Sequence, residues 1–167
     1  MKFLHLIIAI VLSSTVMAND FFLIDTPLAE NIKKIANTSS LPKNDFQYDT
    51  PLGVSSHCYQ GQYFLILSKN DTGNGYEFSN IKPKNVKCIT LPDKMTMPKN
   101  LADMHLGMVK KQVITLLNMP KPSDKATLMY NQKKTIKGKI LDEQTWLDVE
   151  FQQEKLTRIS VFVSITQ

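Results

Sequence analysis

The chain has 167 residues, 20 basic and 15 acidic side chains, a net charge of +5 and two cysteines. An excess this small falls far short of a nucleic-acid-binding signature, and at most biases the chain toward an anionic partner.

Residues 1–18 read as a secretory leader: Lys2 gives a positive start, Phe3 to Leu12 an apolar core, and Val16-Met17-Ala18 a small-residue cleavage site. Ser13, Ser14 and Thr15 interrupt the apolar run well before the ~20 residues a membrane span needs. Cleavage after Ala18 leaves 149 residues, enough for one domain or two small ones. The first cysteine is Cys58, so none follows the cut to carry a lipid, and the expected location is periplasmic or secreted. Without Lys2 the chain carries 19 basic and 15 acidic residues, a charge of +4. Residues 19–95 are balanced at eight and eight, whereas 96–167 carry eleven basic and seven acidic.

A first helix is expected from Pro27 to Asn37, with Thr26 as N-cap and Leu28, Ile32 and Ile35 as its apolar stripe. A loop-like stretch, Thr38 to Gly53, precedes strands at Ser56–Gln60 and Gln62–Ser68. Asn70 to Gly75 reads as a turn, Tyr76–Ser79 as strand, and Val86–Leu91 as the last strand of this half. In an exported chain, Cys58 and Cys88 are expected to form a disulfide; closing that loop of about 31 residues stabilises by roughly 3.5 kcal/mol. The alternative is a Cys58 nucleophile assisted by His57. Pro92 to Pro98 is the expected boundary between an N-terminal half (19–95) and a C-terminal half (96–167).

The second half opens with Met95, Met97, Met104 and Met108 around His105, a set that could offer soft ligands to Cu(I) or fill gaps in a core. Leu106 to Pro120 reads as a short amphipathic helix. Val109, Val113, Leu116 and Leu117 share one face, Lys110, Lys111 and Thr115 point away, and Asn118 and Pro120 mark the exit. A strand at Ala126–Asn131 leads into a basic connection holding Lys133, Lys134, Lys137 and Lys139, either a solvated hairpin or part of an interface.

The final hairpin specifies its own register. Leu147, Val149 and Phe151 alternate with polar residues, as do Ile159, Val161, Val163 and Ile165. An odd-length turn, Gln153-Glu154-Lys155, sets Val149 against Ile159 and Leu147 against Val161, with Glu150 opposite Arg158 and Trp146 opposite Phe162. Such a turn places Glu154 or Lys155 in a left-handed conformation at about 1 kcal/mol. Trp146 and Phe162 then lie on the non-core face. Either another element covers them, or they form an exposed aromatic pair rimmed by Asp148, Glu150 and Arg158.

The run Leu106-Gly107-Met108 through Leu116-Leu117-Asn118-Met119-Pro120, with Phe151-Gln152-Gln153-Glu154-Lys155-Leu156, resembles the signature of the SmpA/OmlA (BamE-like) envelope proteins over about residues 101–163. Asn118 and Glu154 stand where that family has glycine. The resemblance implies an α+β fold, helices packed on one face of antiparallel sheet, with the second half like the BamE-like/β-lactamase-inhibitor-protein fold. It also implies a non-enzymatic, protein-binding role in the bacterial envelope.

No catalytic motif, zinc-ligand spacing or phosphate-binding loop is present, so no enzyme activity, cofactor or metal is expected. The partner expected is an envelope or toxin protein with an acidic surface, met by Trp146, Phe162, Glu150, Arg158 and the four lysines. An immunity or inhibitor protein is the alternative, and a Cu(I)-binding protein a remoter one.

Overall fold

The computed structural model describes residues 20–23, 41–49, 54–92 and 103–166. The leader, the expected first helix, the 92–98 boundary beyond Pro92, and Met95 and Met97 lie outside these residues.

The alternating apolar runs build one large sheet. Its strands are β1 (Asp20–Leu23), β2 (Gln47–Asp49), β3 (Ser55–Gln60), β4 (Phe64–Lys69), β5 (Gly73–Ser79), β6 (Cys88–Thr90), β7 (Lys125–Ile136), β8 (Lys139–Gln152) and β9 (Lys155–Thr166). They lie in the order β1-β7-β8-β9-β5-β4-β3-β2, with β6 on the outer edge of β3 beside β2. Two antiparallel meanders, β3-β4-β5 and β7-β8-β9, meet through their last strands, Tyr76 opposite Val161 and Phe78 opposite Ile159. Only the β1–β7 and β3–β6 pairings are parallel.

This corrects the α+β expectation. Strand accounts for 59% of the described residues and helix for 7%, the latter a single short helix, so among the described residues no BamE-like helical pair covers the sheet. The reason lies in two stretches. Of its two readings the lysine-rich segment takes the hairpin, with longer strands than expected: β7 runs past Asn131 through Lys133 and Lys134 to Ile136, turns at Lys137-Gly138, and returns as β8 from Lys139. Gly73 and Gly75 likewise belong to β5. The turn before it is only Asn70–Thr72, where Asn70 Oδ1 accepts from the backbone N–H groups of Thr72 and Gly73.

Period-2 alternation puts one face of the sheet in the core. Leu128, Leu147, Val149, Phe151, Leu156, Ile159, Val161, Leu65 and Phe78 are all buried there. The hairpin register is as expected: Leu147↔Val161, Val149↔Ile159, Glu150↔Arg158 and Trp146↔Phe162. The odd residue sits elsewhere, however. The turn is a two-residue one, with Gln152 paired to Lys155 and positive φ at Gln153 (50°) and Glu154 (59°). Thr157 is the extra residue, in a bulge between Glu150↔Arg158 and Phe151↔Leu156, and its hydroxyl donates to the Glu150 carbonyl.

On the core face lies α1 (Lys110–Leu117), which buries Val113 completely. Its stripe is shifted from the expected one. Lys110 is buried, Ile114 and Leu117 pack on the core, and Val109 and Leu116 are exposed. The Lys110 ammonium lies over the Phe151 ring, 5.3 Å from its centroid, and reaches Asp124 at 3.4 Å, so a charged residue fills a core-facing position with its charge paired. Val109 supplies no side-chain cap; instead the Lys110 N–H donates to the Glu154 carbonyl at 2.9 Å, joining the helix start to the β8–β9 turn. Asn118 closes the helix in the left-handed conformation, φ 47°, as expected.

Candidate functional site

The opposite face of the sheet carries the surface chemistry. Continuous pairing of β7 with β8 and of β8 with β9 aligns Lys125, Glu150 and Arg158 in one cross-strand row. The row is a ladder of charge: Lys125 Nζ reaches Glu150 Oε1 at 3.0 Å, which also accepts from Arg158 at 2.8 Å, and Arg158 donates onward to Glu77 on β5 at 2.7 Å. Burial works against the Arg158 charge. The Glu77 hydrogen bond and charge, then those of Glu150, outweigh it and hold the guanidinium above its ordinary pKa. Tyr48 on β2 lies near the end of the ladder, its phenol pushed up by burial and then by the Glu77 charge.

Two same-face rows along the strands, past Thr127, Asp148, Ser160 and Glu77, the character changes. Met129, Trp146, Phe162 and Gly75 are successive cross-strand partners on β7, β8, β9 and β5, with Leu23 of β1 paired to Met129. Trp146 is 41% exposed, and Phe21, on the same face through its pairing with Thr127, is 55% exposed. Phe162 is half-buried for a specific reason. A Cβ on Gly75 would come within 2.6 Å of its ring, and one on Gly73 within 2.9 Å, so two side-chain-free positions let the ring lie across β5. Of the aromatic pair, Phe162 is therefore the floor and Trp146 the exposed member.

The four lysines part company. Lys133 shares the face of Trp146, opposite Asp142, four residues along β8 from Trp146 or about 13 Å. Lys134 faces the other way and pairs at 3.1 Å with Glu143, whose side chain is almost wholly buried. Lys137 and Lys139 stand at the β7–β8 turn.

Cys58 and Cys88 form the expected disulfide across β3 and β6, with Cα atoms 4.5 Å apart. Cys58 is fully buried and oxidised, which removes it as a nucleophile beside His57. Met104 is wholly enclosed in the core, Met108 packs against it and His105 is exposed. Among the described residues no cluster of His, Cys, Asp or Glu is arranged to hold a metal, and no helix is long and apolar enough to cross a membrane.

Sequence reasoning missed Lys125, Glu77, Met129, Phe21 and the two glycines. Only strand order reveals β1 and β5 as neighbours of the hairpin, and no local pattern announces non-consecutive pairings. No family model, curated protein or solved structure matches the chain.

Proposed function

We propose that the chain is an exported, non-enzymatic protein-binding module of the bacterial envelope, and that its open sheet face docks on an acidic surface of another envelope protein. The observation that carries this reading is Trp146, 41% exposed in a row with Met129 and Phe162, on a face whose neighbouring charges are already paired with one another. Interface anchors have this form: a rigid aromatic on a preorganised strand, beside polar groups that need no rearrangement to exclude water. Lys133, on the same face and without an ion-pair partner among the described residues, supplies charge complementarity to an acidic partner. Support for an envelope partner comes from the leader-like residues 1–18, the disulfide and the signature resemblance.

The test compares wild-type chain with Trp146→Ala as baits in periplasmic extract, then measures affinity and melting temperature on the same proteins. A partner retained by wild type should bind the variant roughly thirtyfold or more weakly, the ~2 kcal/mol typical of an aromatic anchor. The melting temperature should change by no more than a few degrees, because the side chain is already partly solvated. A large stability loss with unchanged affinity per folded molecule would overturn the proposal.

A further inference from the structure

We infer that the β7–β8 turn is a docking tip for an anionic phospholipid surface, with Ile140 entering the headgroup layer and Lys137 and Lys139 pairing with lipid phosphates. The pairing of β8 with β9 ends at Asp142↔Thr166, while that with β7 continues to Ile136↔Lys139. Residues 134–141 therefore project beyond the end of β9 as a two-stranded ribbon. Its end is a tight turn with Lys137 at φ 49° and Gly138 at φ 78°, the left-handed pair that a two-residue hairpin favours.

Ile140 is 69% exposed, more than any other large hydrophobic side chain among the described residues. A β-branched apolar residue suits a strand, but solvent exposure does not call for one at this position. Lys137, in the turn, and Lys139, next to Ile140 in sequence but on the other face of the ribbon, are both exposed and neither has an ion-pair partner among the described residues, in contrast to Lys134, which Glu143 holds.

The chemistry of the tip fits lipid better than protein. Protein interfaces favour Arg and aromatic side chains and are depleted in Lys, and their anchors enter concave pockets lined by rigid neighbours. Here a convex turn presents one aliphatic side chain and two flexible, strongly hydrated ammonium groups. These suit laterally mobile phosphates, with the lysine stems lying along the acyl boundary. An exposed apolar side chain sharing one tip with lysines also suits interfacial anchoring to anionic bilayers. Trp146 lies six residues from Ile140 along β8, about 20 Å. The headgroup layer would be entered by ~5–10 Å, so the aromatic row stays clear of the bilayer. The inference is thus independent of the protein-binding reading.

Co-sedimentation of the full chain with vesicles tests it, using phosphatidylglycerol mixed with phosphatidylcholine against phosphatidylcholine alone at ~0.1 M salt. The chain should pellet with the anionic vesicles only. Ile140→Ser should weaken binding about tenfold, Lys137→Gln and Lys139→Gln about fivefold each, and Ile140→Phe should keep it. Trp146→Ala should pellet as wild type. All these positions are exposed, so equal melting temperatures verify the fold of each variant. Three results would overturn the inference: no binding to anionic vesicles; equal pelleting of Ile140→Ser and wild type, which marks mere charge attraction; or complete displacement by polyglutamate at matched charge, which assigns the tip to an acidic protein.

Discussion

Tyr63 offers a sharp test of the packing, because its ring and its hydroxyl are placed so differently. The ring stands edge-on to Phe78 with centroids 5.6 Å apart, beside a cleft of about 250 Å³ that Gln62, Asn80, His105 and Leu106 also line. The hydroxyl is shut away from solvent and finds no hydrogen-bond partner among the described residues. A buried unpartnered hydroxyl costs roughly 1–3 kcal/mol, and Tyr63→Phe removes it while leaving the ring contact. The variant should gain about 1 kcal/mol at pH 7, or ~2–4 °C in melting temperature for a chain of this size. Alkaline pH should widen the gap. Burial pushes the Tyr63 phenol up to about 12, whereas the unfolded phenol titrates near 10. A raised folded pKa favours the neutral form, so its contribution is intact below pH 10 and is lost as pH climbs through about 12. After allowance for solvent screening the wild type should lose a further ~1–2 kcal/mol over that interval, a loss that Tyr63→Phe is spared. Thermal melts of both proteins at pH 7 and pH 11 measure this. A lower melting temperature for Tyr63→Phe at pH 7 would refute the reasoning, since it would mean the hydroxyl gains a hydrogen bond in solution.

Native exported protein should show no free thiol until the Cys58–Cys88 bridge is reduced, and thiol titration with calorimetry should find the reduced form melting several degrees lower, given the ~3.5 kcal/mol from loop closure. Arg158→Met strands Glu77 on a partly buried face, leaves Glu150 to Lys125, and should cost about 2–3 kcal/mol in urea unfolding, with Glu77→Gln in the same chain recovering part of the loss. Glu154→Gly relieves one of the two left-handed residues in the hairpin turn, giving up only a 3.9 Å contact with Lys110, and should raise the urea midpoint by the equivalent of about 1 kcal/mol.

Legibility in the sequence followed the strength of local pattern. The register of β8 on β9 could be read because two long alternating runs have only one parity that keeps both apolar sets together. That argument counts an odd residue without saying where it goes. The chain stores it as the Thr157 bulge, because Gln153 and Glu154 adopt left-handed conformations that their side chains give no sign of. The lysine-rich stretch looked like a loop because its side chains are polar on both faces. It is a hairpin: β7 pairs with β8 as far as Ile136↔Lys139, and only Lys137 and Gly138 form the turn, so cross-strand hydrogen bonding rather than an apolar period defines the strands. Charge alone points Lys110 outward, although its ammonium finds both the Phe151 ring and Asp124 from a buried position. For the candidate site, Trp146, Phe162, Glu150 and Arg158 were found from the hairpin itself, whereas the glycine floor and the Glu77 end of the ladder needed the β5–β9 junction between the two meanders.

The central claim, that the Trp146 face binds an envelope protein, is tested most directly by placing a photo-cross-linking residue at position 146 and, separately, at Leu116. Leu116 is comparably exposed, at 49%, on the helix across the core from Trp146. Irradiation in intact cells should yield one discrete adduct from position 146 and none from position 116, with Lys133→Glu reducing the yield. Equal adducts from both positions, or an adduct from 116 alone, would contradict the assignment of the open sheet face as the binding surface.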